Sequence, residues 1–196
     1  MAVAPIQTRA LVLRLLPLRE SDRLVELFTR ECGLLRAVGK SVREERSKLR
    51  FSLEPYSLAE VTLVRGREVW RIRGAQQSRS FYRTLMDAPS KVRLVGNIFL
   101  LLSRLLAGEE QNRKLFDHVI EAIEELSPLK LSADELRAYE SIMVLRILSE
   151  LGYRLPRPDW KKYLDTPLTR TLCQEFLPLR REAVVLINEA LSETHL

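Results

Sequence analysis

Two cysteines and two histidines are all that this chain offers of the commonest transition-metal ligands. Cys32, Cys173, His118 and His195 lie far apart, with no CxxC spacing. A structural zinc site needs several such ligands close together, so no metal is expected. Sparse cysteine with no disulfide-like spacing makes a reduced, cytoplasmic setting the simpler account. With so little histidine the commonest general base is scarce, and no Ser/His/Asp or Cys/His set stands out. The pairs Glu109-Glu110 and Glu124-Glu125 sit one residue apart on helical stretches. Such neighbours diverge around the axis, so they read as solvated faces rather than two-carboxylate sites. There is no glycine-rich phosphate loop, which argues against an ATP-driven motor. The longest apolar run, Ile98 to Leu102, is far below the ~20 residues that span a bilayer. The first residues lack the charged-then-apolar form of a secretory leader. These absences set an expectation of a soluble, intracellular, non-enzymatic protein with no cofactor and no membrane.

What is present is a core and a lopsided charge. The 196 residues are 46% hydrophobic and 30% charged, with a net charge of +6. That is enough apolar material for one large domain or two small ones. Residues 1–90 hold 17 Lys and Arg against 10 Asp and Glu, whereas residues 91–196 hold 15 against 16. A basic N-terminal half and a near-neutral C-terminal half point to two units, with any polyanion contact on the first.

Local patterns divide the chain at the same place. Residues 6–15 show partial alternation and read as a strand ended by Pro17. Arg23 to Thr29 is a second strand candidate, with a short helix as the competing reading. Gly33 is placed to close a hairpin, and Leu34 to Lys40 is the returning strand. Leu53 to Val64, with Pro55 near its start, and Glu68 to Ala75, after the Arg65-Gly66-Arg67 turn, complete about five strands. Five short strands with one long connection fit a small closed or partly closed barrel. After Phe81 the spacing turns helical. Lys91 to Leu106, with Ser90 as its N-cap, is apolar on more than one face and reads as a central, nearly enclosed helix. Asn112 to Leu126 is amphipathic. Ser132 and Glu135 form a capping box for a helix stopped by Gly152. Residues 154–167 read as irregular, and a last helix runs from about Pro178 to Glu193. The fold class is therefore α+β: a five-stranded barrel over residues 1–80 and an all-α domain over residues 81–196.

The candidate site is basic. Between Leu34 and Arg50 a short strand runs into an excursion carrying Lys40, Arg43, Arg46, Lys48 and Arg50 against Glu44 and Glu45. A strand that fixes position and long cations beyond it suit phosphate contacts. The competing reading is a solvated charged loop. Strand alternation puts Arg67, Arg71 and Arg73 on one side of the last strand and Trp70 and Ile72 on the other. That enlarges the basic footprint and sends Trp70 to the core. Tyr56 is the best stacking candidate, and a place in the barrel wall explains it equally well.

In combination these residues resemble a known family. The opening strand ending near Arg14, Glu20-Ser21-Asp22, Leu27-Phe28-Thr29 with Gly33, Lys40, Arg43, Arg46 and Ser47, Leu53-Glu54-Pro55-Tyr56 and the Gly66 turn resemble the N-terminal half of RecO, the bacterial recombination mediator. Glu109-Glu110, Leu115-Phe116 and Leu151-Gly152-Tyr153 extend the likeness to about residue 155. The resemblance implies an oligonucleotide-binding (OB) barrel and a helical domain. It also implies binding of single- and double-stranded DNA, strand annealing, and help in loading recombinase on DNA covered by single-strand-binding protein, in the cytoplasm at the bacterial nucleoid. The implied partners are RecR and the acidic C-terminal tail of the single-strand-binding protein. Arg93, Arg104 and Arg137 are the candidates to receive that tail. Three departures stand out: Ser41 where glycine is common, Glu44-Glu45 where bases are frequent, and no four-cysteine zinc module. A protein-interaction scaffold and an RNA-binding OB-fold protein are the alternatives.

Overall fold

A computed structural model describes residues 4–42, 44, 47–153 and 160–192, with Lys48 described by its backbone alone. Five strands, β1 (Ile6–Pro17), β2 (Arg23–Thr29), β3 (Gly33–Gly39), β4 (Ser57–Arg65) and β5 (Trp70–Ser80), form a closed barrel in the order β1-β2-β3-β5-β4. Every pairing is antiparallel except β3 with β5, which is parallel. The expected OB-type barrel is therefore present, with helices after it.

The weak alternation of β1 has a physical cause. The strand pairs with β4 over residues 6–12 and with β2 over residues 10–17, and its register slips at Leu13. Ala10 and Val12 point into the barrel, and beyond the slip Leu15 does. Leu11 and Leu13 point outward, where they join Phe28 and Leu58 under the helices. A strand apolar on both faces cannot alternate cleanly. A second slip leaves Arg73 without a partner in β4, since Leu63 pairs with Ile72 and Thr62 with Gly74. Such a bulge flips the parity of the residues beyond it, so Ala75 returns to the interior and β5 runs on to Ser80, past the expected end at Ala75.

Other expectations are corrected. Between β3 and β4 the chain forms a short helix, α1 (Lys48–Ser52), and β4 starts at Ser57, not Leu53. Leu53 ends α1 and is fully buried in the barrel core. Pro55 therefore lies in the approach to the strand rather than within it.

The helices are α2 (Phe81–Leu85), α3 (Pro89–Leu105), α4 (Arg113–Leu126), α5 (Ala133–Glu150), α6 (Lys161–Asp165), α7 (Arg170–Phe176) and α8 (Arg180–Ser192). Ala88, not Ser90, is the N-cap of α3, because Pro89 takes the first helical position, where its missing N–H is no loss. Nor is α3 enclosed. Leu94, Val95, Ile98, Phe99 and Leu102 are buried, while Arg93, Asn97, Leu100 and Arg104 face out. The central helix is α5, which packs against α3, α4, α6, α7 and α8. Its capping box is formed as expected, with Ser132 Oγ accepting from the Glu135 N–H and Glu135 accepting from the Ser132 N–H. Residues 154–159 lie outside the described residues, and α6 occupies part of the stretch expected to be irregular. The expected last helix starts at Arg180, preceded by α7, which has too few turns to show periodicity.

Barrel and helices share one seam. The Phe28 and Phe116 rings meet edge to face at 5.4 Å. The Leu34 N–H donates to the Gly108 carbonyl at 2.9 Å. Arg30 grips both oxygens of Asp117 at 2.8–3.2 Å. Tyr56 stacks on Phe99 of α3 at 5.5 Å, which spends it on the seam and removes it as a stacking candidate.

Candidate nucleic-acid interface

Parallel pairing of Ala37 with Trp70 and Val38 with Arg71 lays the end of β3 beside the start of β5. Leu35, Ala37, Trp70 and Ile72 face the barrel interior. The outward residues at this junction are Arg36, Lys40, Arg71 and Arg73, all exposed. Arg67 is exposed in the β4–β5 turn, and Arg50 is exposed on α1, which packs against β5. Trp70 is in the core as expected, and its Nε1–H donates to Glu109 at 2.8 Å.

The arginines of the basic half fall into two groups. Arg14 and Arg36 share the buried carboxylate of Glu26, at 2.5 and 3.1 Å. Burial alone would push the Glu26 carboxyl up, but the arginine hydrogen bonds bring it below its ordinary value. Arg65 pairs with Glu109, Arg79 with Glu124 and Arg83 with Glu54. Lys40, Arg50, Arg67, Arg71 and Arg73 have no carboxylate partner among the described residues. These five, all expected site residues, carry uncompensated charge on one side of the barrel. Arg43 and Arg46 lie outside the described residues, as does the Lys48 side chain.

The excursion after Lys40 is pinned at its start. The Ser41 N–H donates to Asp22 Oδ1 at 3.0 Å, and Ser41 has φ of +51°. This left-handed backbone favours glycine. The Asp22 bond holds serine there.

Sequence reasoning missed two features of this surface. Arg19 is exposed in the β1–β2 turn. In barrels of this topology that turn and the β4–β5 turn flank the binding face, so the position between two strands was a usable signal. Phe51 is exposed on α1, and nothing in its sequence context separates it from a core residue.

The three arginines proposed for an acidic tail divide. Arg93 and Arg137 line one groove of about 380 Å³ between α3 and α5, with Leu94, Leu131 and Leu136 as its apolar wall. Arg104 does not line it. It stands eleven residues further along α3, ~16 Å at helical rise. Among the described residues no cluster of His, Cys, Asp or Glu could hold a metal ion, and no helix is long and apolar enough to cross a membrane.

Residues 1–81 match the family model described as "Recombination protein O N terminal". The DNA repair protein RecO of Caldanaerobacter subterraneus subsp. tengcongensis is 28% identical over 151 residues, 76% of this chain and 58% of the relative. That of Dehalococcoides mccartyi is 32% identical over 123 residues, 61% of this chain and 47% of the relative. The barrel thus matches the RecO N-terminal family, and the chain is similar to RecO proteins over up to 76% of its length. The chain spans about half the length of the curated relatives it matches. The family likeness covers the whole barrel, and therefore all five of the cations without a carboxylate partner among the described residues.

Proposed function

We propose that this chain acts as a RecO-type DNA repair and recombination mediator, by binding and not by catalysis. Residues 1–80 serve as the DNA-binding domain and residues 81–196 as the helical domain. The supporting observation is the row of five cations on the β3–β5 side of the barrel that have no carboxylate partner among the described residues. Each is free to exchange its counterions for a phosphate. Arg43, Arg46 and Lys48, close by in sequence, add further phosphate contacts in this proposal. Phosphate contacts carry no sequence information, so both single- and double-stranded DNA bind. Two strands held on one cationic surface repel each other less, which promotes annealing.

In the same proposal the α3–α5 groove receives the C-terminal tail of the single-strand-binding protein. Its leucines take the apolar end, and Arg93 and Arg137 take the carboxylates. Arg104 would contact a tail that runs beyond the groove. The mediator thereby reaches covered DNA and, with RecR, helps load recombinase at the bacterial nucleoid in the cytoplasm.

Fluorescence anisotropy of labelled single-stranded and duplex oligonucleotides at several salt concentrations tests the DNA reading. Binding of both, weakening steeply with salt, is expected. No binding at low salt would transfer the basic face to an acidic protein partner. Preference for RNA over DNA of one sequence would make this an RNA-binding barrel.

A further inference from the structure

Phe51 is the most exposed large apolar side chain among the described residues, at 59%. It is not needed to hold α1 in place. Leu49 packs towards the barrel core, and Leu53 is fully buried within it. These two fix the helix against β5, and they leave Arg50 and Phe51 on its solvent side. The Arg50 guanidinium lies 5.9 Å from the Phe51 ring centroid. The strand beneath carries Arg71 and Arg73. The other exposed large apolar side chains among the described residues differ: Leu18, in the β1–β2 turn, has no ring to stack, Tyr82 and Met86 come after the barrel, Leu100 is on α3 and Val185 on α8. Among the described residues, Phe51 alone combines an open aromatic face with cations that have no carboxylate partner there, on its own helix and on the strand it packs against.

An apolar ring inside a cationic surface suits a ligand that is anionic along its length and presents flat π-faces at intervals. Single-stranded DNA has both properties. Its phosphates meet the cations, and a base stacks on the ring irrespective of sequence. Duplex DNA has the same phosphates but keeps its base faces stacked inside. We propose that Phe51 is a base-stacking platform that separates single-stranded from duplex DNA on an otherwise phosphate-reading surface. This rests on the DNA-binding reading above. Stacking covers the face of a base and leaves its pairing edge open, so a strand held this way stays competent to anneal.

The test compares the wild-type chain with Phe51→Ala, Phe51→Tyr and Phe51→Trp on three labelled probes: oligo(dT), an abasic oligonucleotide of equal length and a duplex. Phe51→Ala is expected to weaken oligo(dT) binding by about 5- to 150-fold, the worth of stacking one base. Its affinity for the abasic strand and the duplex is expected to stay within twofold, and its salt slope on oligo(dT) to stay unchanged, because no phosphate contact is lost. Phe51→Tyr is expected to restore binding, and the fluorescence of Phe51→Trp to be quenched by oligo(dT) but not by the abasic strand. Equal losses on all three probes, or none on oligo(dT), would overturn the platform while leaving DNA binding intact. Failure of the wild-type chain to bind any probe would instead sink the DNA-binding reading and the platform with it.

Discussion

Removing two charges from β5 gives a response whose size can be worked from the geometry. Arg71 and Arg73 are exposed and make no ion pair among the described residues. Arg71→Gln with Arg73→Gln therefore leaves the fold within about 0.5 kcal/mol per site, as surface changes do. For single-stranded DNA each neutralised phosphate contributes roughly −0.7 to the slope of log affinity against log salt. Contacts from Lys40, Arg50, Arg67, Arg71 and Arg73, with Arg43, Arg46 and Lys48, then predict a slope of about −5.6, and the double variant about −4.2. Between 50 and 200 mM salt, wild-type affinity is expected to fall ~2,000-fold and that of the variant ~300-fold. The two lines meet near molar salt, so at 50 mM the variant is expected to bind roughly 60-fold more weakly. Anisotropy titrations with labelled oligo(dT) at four salt concentrations give both slopes. A variant slope equal to that of the wild type would mean that neither arginine meets a phosphate.

Three further outcomes are expected. Gly33 closes the β2–β3 hairpin at φ of +69°, and a Cβ there would stand 2.2 Å from the Glu110 carbonyl oxygen; Gly33→Ala is expected to destabilise the chain by about 3 kcal/mol in urea unfolding, and a loss below about 1 kcal/mol would mean that the seam yields easily. Hydrogen bonds from the Ser132 N–H, Arg170 and Gln174 hold the Glu135 carboxyl down at about 2, from an ordinary value of 4.5. Its contribution is whole above pH 4.5 and lost as pH falls towards 2, so Glu135→Gln is expected to lower stability at pH 7 and flatten the acid limb in that window; a variant with an unchanged acid limb would contradict it. Arg93→Ala and Arg137→Ala are each expected to weaken binding of an acidic peptide with an apolar C-terminal end roughly tenfold, with Arg104→Ala affecting it less; equal effects at all three would remove the groove as the binding site.

The barrel was legible in the sequence because its turns announce themselves. Gly33 and Gly66 sit at hairpins, Pro17 ends β1, and the alternation of Arg71 and Arg73 with Trp70 and Ile72 shows which face of β5 is wet. The start of β4 was not legible, because Leu53 is apolar for the sake of α1 and not of a strand. Leu11, Leu13 and Phe28 blurred the pattern of β1 and β2 because the helices cover the outer wall there. The site was half visible. Charge located it, but which arginines are free depends on partners distant in sequence, such as Asp117 for Arg30 and Glu109 for Arg65. Periodicity cannot show that Arg93 and Arg137 line one groove between two helices while Arg104 does not. The helix assigned as central was misplaced for a related reason. A run of apolar residues on α3 looks enclosed, and only packing reveals that Leu100 stays in solvent.

Amide hydrogen exchange of the whole chain, with and without saturating single-stranded DNA, tests the β3–β5 face most directly. Slowed exchange in the last residues of β3, in α1 and in the first half of β5, with α4 and α5 unchanged, is the predicted result. Protection confined to the helices, with the β3–β5 side of the barrel exchanging as freely as before, would contradict it.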